Sequence, residues 1–165
     1  MDIFATGNAG VRGNRVVVTF GTFDVFHVGH LRLLRRAASL GDRLLVGVST
    51  DALNHSKKGR AAVYSQDERA EIVAGIRCVD GVFFEESLEA KAQYLRDLNA
   101  SVLVMGDDWL GRFDHLRHLC EVVYLPRTPA ISTTATIERM RTSALAAVEL
   151  IESTTATVVA QEVPT

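Results

Sequence analysis

An α/β fold is what this sequence predicts: a Rossmann-like open parallel sheet of five strands with helices on both faces. Three observations predict it. From residue 15 onward, apolar runs of five to seven residues alternate with segments of helical period. Strands and helices in that alternation give parallel pairing through right-handed crossovers, with a helix layer on each face. A turn rich in glycine and histidine joins the first strand to the first helix, at the sheet edge where open sheets bind ligands. With 165 residues, one domain with one substantial core is the expected organisation.

Residues 1–14 contain Gly7, Gly10 and Gly13 and no period, and are expected to form a flexible N-terminal arm. A single folded domain is assigned to 15–152. Its strands are placed at 16–20, 43–49, 79–85, 101–105 and 121–125. Helices are placed at 28–40, 66–76 and 87–99, with a shorter one at 112–119 and a last one at 135–152. Gly41 is read as the cap that closes the first helix, and Ser65-Gln-Asp-Glu68 as a capping box that opens the second. The polar stretch 54–60 is expected to be a flexible loop. The tail 153–165 is rich in Thr and Val, lacks a helical stripe, and is expected to fray or pack on a partner.

A formal net charge of −2 argues against a general nucleic-acid binder. No apolar run reaches the length of a bilayer span and no signal-peptide pattern opens the chain, so no membrane role and a cytoplasmic location are expected. Cys78 and Cys120 lack CxxC spacing and read as free thiols in a reducing compartment.

The chemistry is concentrated in Gly21-Thr-Phe-Asp-Val-Phe-His-Val-Gly-His30. His27 and His30 sit one helical turn apart on one face of a helix start, where free amides and the helix dipole attract phosphate. Gly21 and Gly29 remove Cβ atoms where a triphosphate would lie, and the amides of Thr22 and Phe23 face its oxygens. A second anion cradle is predicted at Arg127-Thr-Pro-Ala-Ile-Ser-Thr-Thr134. It offers a guanidinium, hydroxyls from Thr128, Ser132, Thr133 and Thr134, and the amides of another helix start. Two cradles on one triphosphate indicate a transferase. Lys57 and Lys58 read as a surface charge run, Lys91 as a solvated helix residue, and Arg77 with Asp80 as a structural ion pair. Asp107 and Asp108 end the fourth strand at the active edge, where a carboxylate meets ribose hydroxyls, the base or Mg²⁺. Trp109 shapes that pocket or joins the core; His55, His115 and His118 receive no role.

These segments, with Met105-Gly-Asp-Asp-Trp109, Gly111-Arg-Phe-Asp114 and Arg77-Cys-Val-Asp80, resemble the glycerol-3-phosphate cytidylyltransferase family across about residues 16–140. The resemblance implies CTP and sn-glycerol 3-phosphate as substrates, and CDP-glycerol and pyrophosphate as products. The product would feed teichoic acid, capsule or another polymer. It makes His27, His30, Lys57 and Arg127 catalytic, and gives the acceptor to Lys57 and Lys91, with a further cation at Lys58 or Arg60. Nucleotide contacts would run through Gly21, Thr22, Phe23, His27, Val28, Gly29 and His30, then Arg77 and Asp107. They would continue through Arg127, Thr128, Pro129, Ala130, Ile131, Ser132, Thr133 and Thr134. Mg²⁺ would be bound through the triphosphate with no protein metal site, and the chain would form a homodimer. Two departures stand out. Pro129-Ala130 replace the family's acid and glycine before Ile-Ser-Thr-Thr, which predicts a different backbone path there, and Gly81 replaces an acid after Asp80. The alternatives are an adenylyltransferase using ATP with a sugar phosphate, FMN or pantetheine phosphate, and a nucleotide-binding regulatory module without catalysis.

Overall fold

The computed structural model describes residues 4–5 and 13–161. Five strands pair in parallel: β2 (Val16–Gly21), β3 (Arg43–Ser49), β4 (Gly81–Glu85), β5 (Val102–Gly106) and β6 (Glu121–Leu125), in the spatial order β4-β3-β2-β5-β6. A two-residue strand, β1 (Phe4–Ala5), adds antiparallel to β4 at the edge. Of the predicted arm, residues 1–3 and 6–12, with Gly7 and Gly10, lie outside the described residues.

Strand alternation supplies two cores. Val16, Val18 and Phe20 point to one face, where they pack with Leu95, Leu98, Phe113 and Leu116. Val17, Val46 and Val82 point to the other, onto Leu34 and Ala37 of α1 (Val28–Ala38) and Ala70 and Val73 of α3 (Gln66–Ala74). Strands buried on both faces are why the runs read as continuous apolar stretches.

Several elements differ from expectation. Residues 51–58 form a helix, α2 (Asp51–Lys58), in place of most of the expected loop. Its local signals are complete: Thr50 accepts from the Leu53 amide, Asp51 and Lys57-Lys58 complement the dipole, and Gly59 closes the helix in a left-handed conformation (φ 65°). Only its apolar stripe is missing from the sequence. Gly41 is not the cap of α1, which ends at Ala38 and is capped by Ser39. A Cβ on Gly41 would lie 2.5 Å from the Arg15 carbonyl, so this glycine serves a close approach of backbones. The helix expected at 87–99 is α4 (Lys91–Asp97), and 112–119 holds a 3₁₀ turn, Asp114–Leu116, preceded by another at Asp107–Trp109. The last helix, α5 (Thr133–Gln161), starts two residues earlier than expected and continues through 153–161 of the predicted tail; 162–165 lie outside the described residues. Among the described residues, no helix is long and apolar enough to cross a membrane.

Candidate active site

A cleft of about 450 Å³ opens at the carboxyl ends of β2 and β5. It lies at the point where the chain order reverses, because β2 has β3 on one side and β5 on the other. The histidine motif leaves β2 and enters α1 along one wall; 127–134 leaves β6 and enters α5 along another.

His27 is the N-cap of α1. Its Nδ1 accepts from the His30 amide at 3.3 Å, while the His30 Nδ1 accepts from the His27 amide at 3.4 Å. This is a capping box built from two imidazoles. Because both Nδ1 atoms are acceptors, the ring proton of each neutral histidine sits on Nε2. The rings stack at 3.7 Å with 13° between planes. Burial is the main reason both pKa values fall, to about 3 for His30, where His27, Lys58 and Arg127 push the same way and Asp24 opposes them. At neutral pH the pair is therefore two neutral N–H donors. Gly29 makes room for this arrangement: an added Cβ would lie 3.0 Å from the His27 ring and 3.3 Å from Ile131. Gly21 likewise faces protein, since the Phe23 ring lies 2.9 Å from the position of its Cβ.

The loop between β2 and α1 holds Phe23 and Val25 at positive φ (53° and 44°), a costly conformation for both residue types. Two further residues over-determine it. Buried Asp24 accepts from the amides of Val25, Val63 and Tyr64, and its carbonyl accepts from the Thr133 hydroxyl at 2.9 Å, which ties the two cradles together. Arg69, 0% exposed, donates to the carbonyls of Thr22, Ser49 and Tyr64 and pairs with Asp51.

Lys57 and Lys91 both line the cleft. Lys91 is not solvated: it is 2% exposed, pairs with Glu85, and lies 3.7 Å from the centroid of the Phe20 ring. Burial lowers its pKa to about 8 against the opposing pull of Glu85. Lys57 donates to the Ser49 hydroxyl at 2.8 Å and sits 3.8 Å from Glu85. Lys58, which donates to Thr22, and Arg60 add positive charge to the same wall.

In the second cradle, Arg127, Thr128, Ile131, Ser132, Thr133 and Thr134 line the cleft. Ser132 caps α5, its hydroxyl accepting from the Ala135 amide at 3.1 Å. Pro129 and Ala130 lie outside the cleft lining. Ala130 takes a positive φ of 58°, so it adopts the left-handed conformation that alanine disfavours, and the expected change of backbone path does not follow from an unwillingness to do so.

Three other predicted contacts fall elsewhere. Val28 is exposed on α1. Arg77 is exposed in the turn before β4, at the amino end of that strand and so away from the carboxyl edge that carries the cleft. Asp80, its expected partner, accepts from the Leu44 amide at 2.8 Å. The Asp107 carboxylate accepts from the Arg127 amide, and it is Asp108 that faces the cleft, folded over Gly106. Trp109 does line the pocket.

A doubly wound sheet, two helix starts and a belt of cations around one cleft define a nucleotidyltransferase. The cytidylyltransferase-like family model matches residues 18–148, and the chain belongs to that family. It is 52% identical over 118 residues to the glycerol-3-phosphate cytidylyltransferase of Bacillus subtilis (strain 168), covering 72% of this chain and 91% of that protein. It is 44% identical over 118 residues to the protein of the same name from Staphylococcus aureus (strain NCTC 8325 / PS 47), covering 72% and 89%. A solved structure, the lipopolysaccharide core biosynthesis protein from Thermoplasma volcanium GSS1, superposes with a TM-score of 0.60 at 18% identity. That match covers 69% of this chain and 98% of that one, a likeness of fold.

Proposed function

We propose that this enzyme joins CTP to sn-glycerol 3-phosphate, releasing pyrophosphate and forming CDP-glycerol. The observation that carries the chemistry is the reciprocal histidine cap, which leaves two neutral Nε2–H donors at the start of α1 in a cleft shared with Lys57 and Lys91. The choice of substrates is supported by the relatives, two of which bear that activity in their names and are covered over about nine-tenths of their length.

In this reading an acceptor phosphate oxygen attacks the α-phosphorus in line, and the α–β phosphoanhydride bond breaks with pyrophosphate leaving. The acceptor is already anionic, so no general base is needed. His27 and His30 donate to the phosphate oxygens that gain charge in the transition state. Arg127 and the amides opening α5 hold the β- and γ-phosphates, and Lys57 with Lys91 positions the acceptor. Mg²⁺ fits as an ion carried on the triphosphate, where it would neutralise phosphate charge. Asp24 and Glu85 are engaged by donors, which leaves Asp108 as the cleft carboxylate suited to share it. The same reading makes the protein a cytoplasmic homodimer, a mass that light scattering would measure.

Pyrophosphate release with each of the four ribonucleotides, against a panel of phosphorylated acceptors, tests the reading. Dominant turnover of CTP with sn-glycerol 3-phosphate is expected. Dominant turnover of ATP would overturn the substrates, and nucleotide binding without turnover of any acceptor would overturn the reaction.

A further inference from the structure

We infer that Glu85 is the positioning residue of the acceptor side, one buried carboxylate that holds Lys57 and Lys91 so that they meet a phosphomonoester as a pair. The inference rests on the assignment of those lysines to the acceptor made above.

Glu85 is the last residue of β4 and stands opposite Ser49, the last residue of β3. It is 1% exposed and lines the cleft. One oxygen, Oε1, takes the Lys91 ammonium. The other, Oε2, accepts from the Ser49 hydroxyl at 2.7 Å, and the same hydroxyl accepts from Lys57 at 2.8 Å. The two lysines come from different helices, so the carboxylate and its serine are what join them.

Charge explains why such a hub is needed. An ammonium buried as deeply as Lys91 sheds its proton unless a counter-charge is present, and a neutral amine is a poor phosphate ligand. Two ammonium groups converging on one pocket also repel each other before substrate arrives. A single carboxylate between them keeps both protonated and leaves the trio with a net charge of about +1, still attractive to a phosphate dianion. The charged groups facing Lys91 are Glu85, Lys57 and Arg112, and the rings of Phe20 and Phe113 complete its surroundings. Of the charges, Glu85 alone favours the protonated form.

The test is steady-state kinetics of E85Q with CTP saturating, sn-glycerol 3-phosphate varied and pH scanned upward from neutrality. An acceptor KM raised about tenfold is expected, as for loss of a charged hydrogen bond. The KM for CTP should stay unchanged, and the alkaline limb of acceptor kcat/KM should move to lower pH. S49A, which removes only the hydroxyl between Glu85 and Lys57, should raise the acceptor KM about fivefold and leave the alkaline limb in place. If E85Q lowers stability while acceptor KM and alkaline limb stay put, Glu85 is a structural ion-pair partner and the inference falls. Should E85Q not fold, an unchanged acceptor KM in S49A overturns it. A wild-type enzyme inactive on this substrate pair overturns the proposed function itself, an outcome separate from both.

Discussion

One end of the cleft presents a helix start and two neutral imidazoles; the other presents ammonium groups held by a buried carboxylate. The two ends solve the same problem at different cost. Neutral donors fixed by a helix start can be buried without a counter-ion, and all their parts lie within a few residues. Buried charges need partners, and those partners come from distant strands and helices: Glu85 from β4, Ser49 from β3, Lys57 from α2 and Lys91 from α4. One end is contiguous in sequence and the other is assembled by the fold.

Removing the residue that fastens the two ends should have the largest effect. Arg69 reaches the Thr22 carbonyl of the histidine loop and the Ser49 carbonyl beside the lysines. Arg69→Met would leave buried carbonyls without donors and should cost about 3–5 kcal/mol, read as a loss of roughly 10 °C or more in Tm. A shift below 2 °C would mean that the two ends are held independently. Next in size is His27→Ala, expected to lower kcat by about 10²–10³ with little change in acceptor KM. A rise confined to acceptor KM would erase the distinction between the ends.

The contrast also decides what the sequence could show. The histidine motif, the cradle at 127–134 and the Ser65–Glu68 capping box were legible because each is a local device whose spacing follows from helix geometry. Gly29 was legible as a place that must lack a Cβ, but the group it admits is the His27 ring. Helix α2 was missed because a polar, two-turn helix carries caps without a stripe. Glu85 and Arg69 were missed because their partners are remote. Faint signals existed: Arg69 occupies the face of α3 that buries Ala70 and Val73, and Glu85 ends an apolar strand. Neither names its partner. The local pattern alone makes Lys91 look solvated for the same reason, since at the first position of α4 only the tertiary fold buries it.

Acid sharpens the comparison from the neutral side. The unfolded chain takes a proton on His30 near pH 6.5, whereas the folded protein takes it only near pH 3. Folding is therefore favoured by this group above pH 6.5, and that contribution is lost as pH falls from 6.5 toward 3. Urea unfolding across this range should show a slope that His30→Asn reduces by up to one proton, roughly 1.4 kcal/mol per pH unit. Equal slopes would mean that the imidazole pair is not kept neutral by burial.

The smallest expected effect tests how the second cradle reaches its shape. Ala130 sits at φ 58° just ahead of the cap of α5, where a side chain's Cβ crowds the backbone and a glycine would not. The conformation persists because residues on both sides are fixed: the Ile131 amide donates to the Thr128 carbonyl, the Ser132 hydroxyl caps α5, and Thr133 is tied to Asp24. Ala130→Gly should thus raise stability by about 1 kcal/mol, or roughly 2–4 °C in Tm, with the KM for CTP unchanged. A raised CTP KM without added stability would show that alanine helps hold the loop in register for the triphosphate. The strain would then be part of how the histidine end of the cleft is preorganised, and that end would depend on a costly local conformation as the lysine end depends on buried charge.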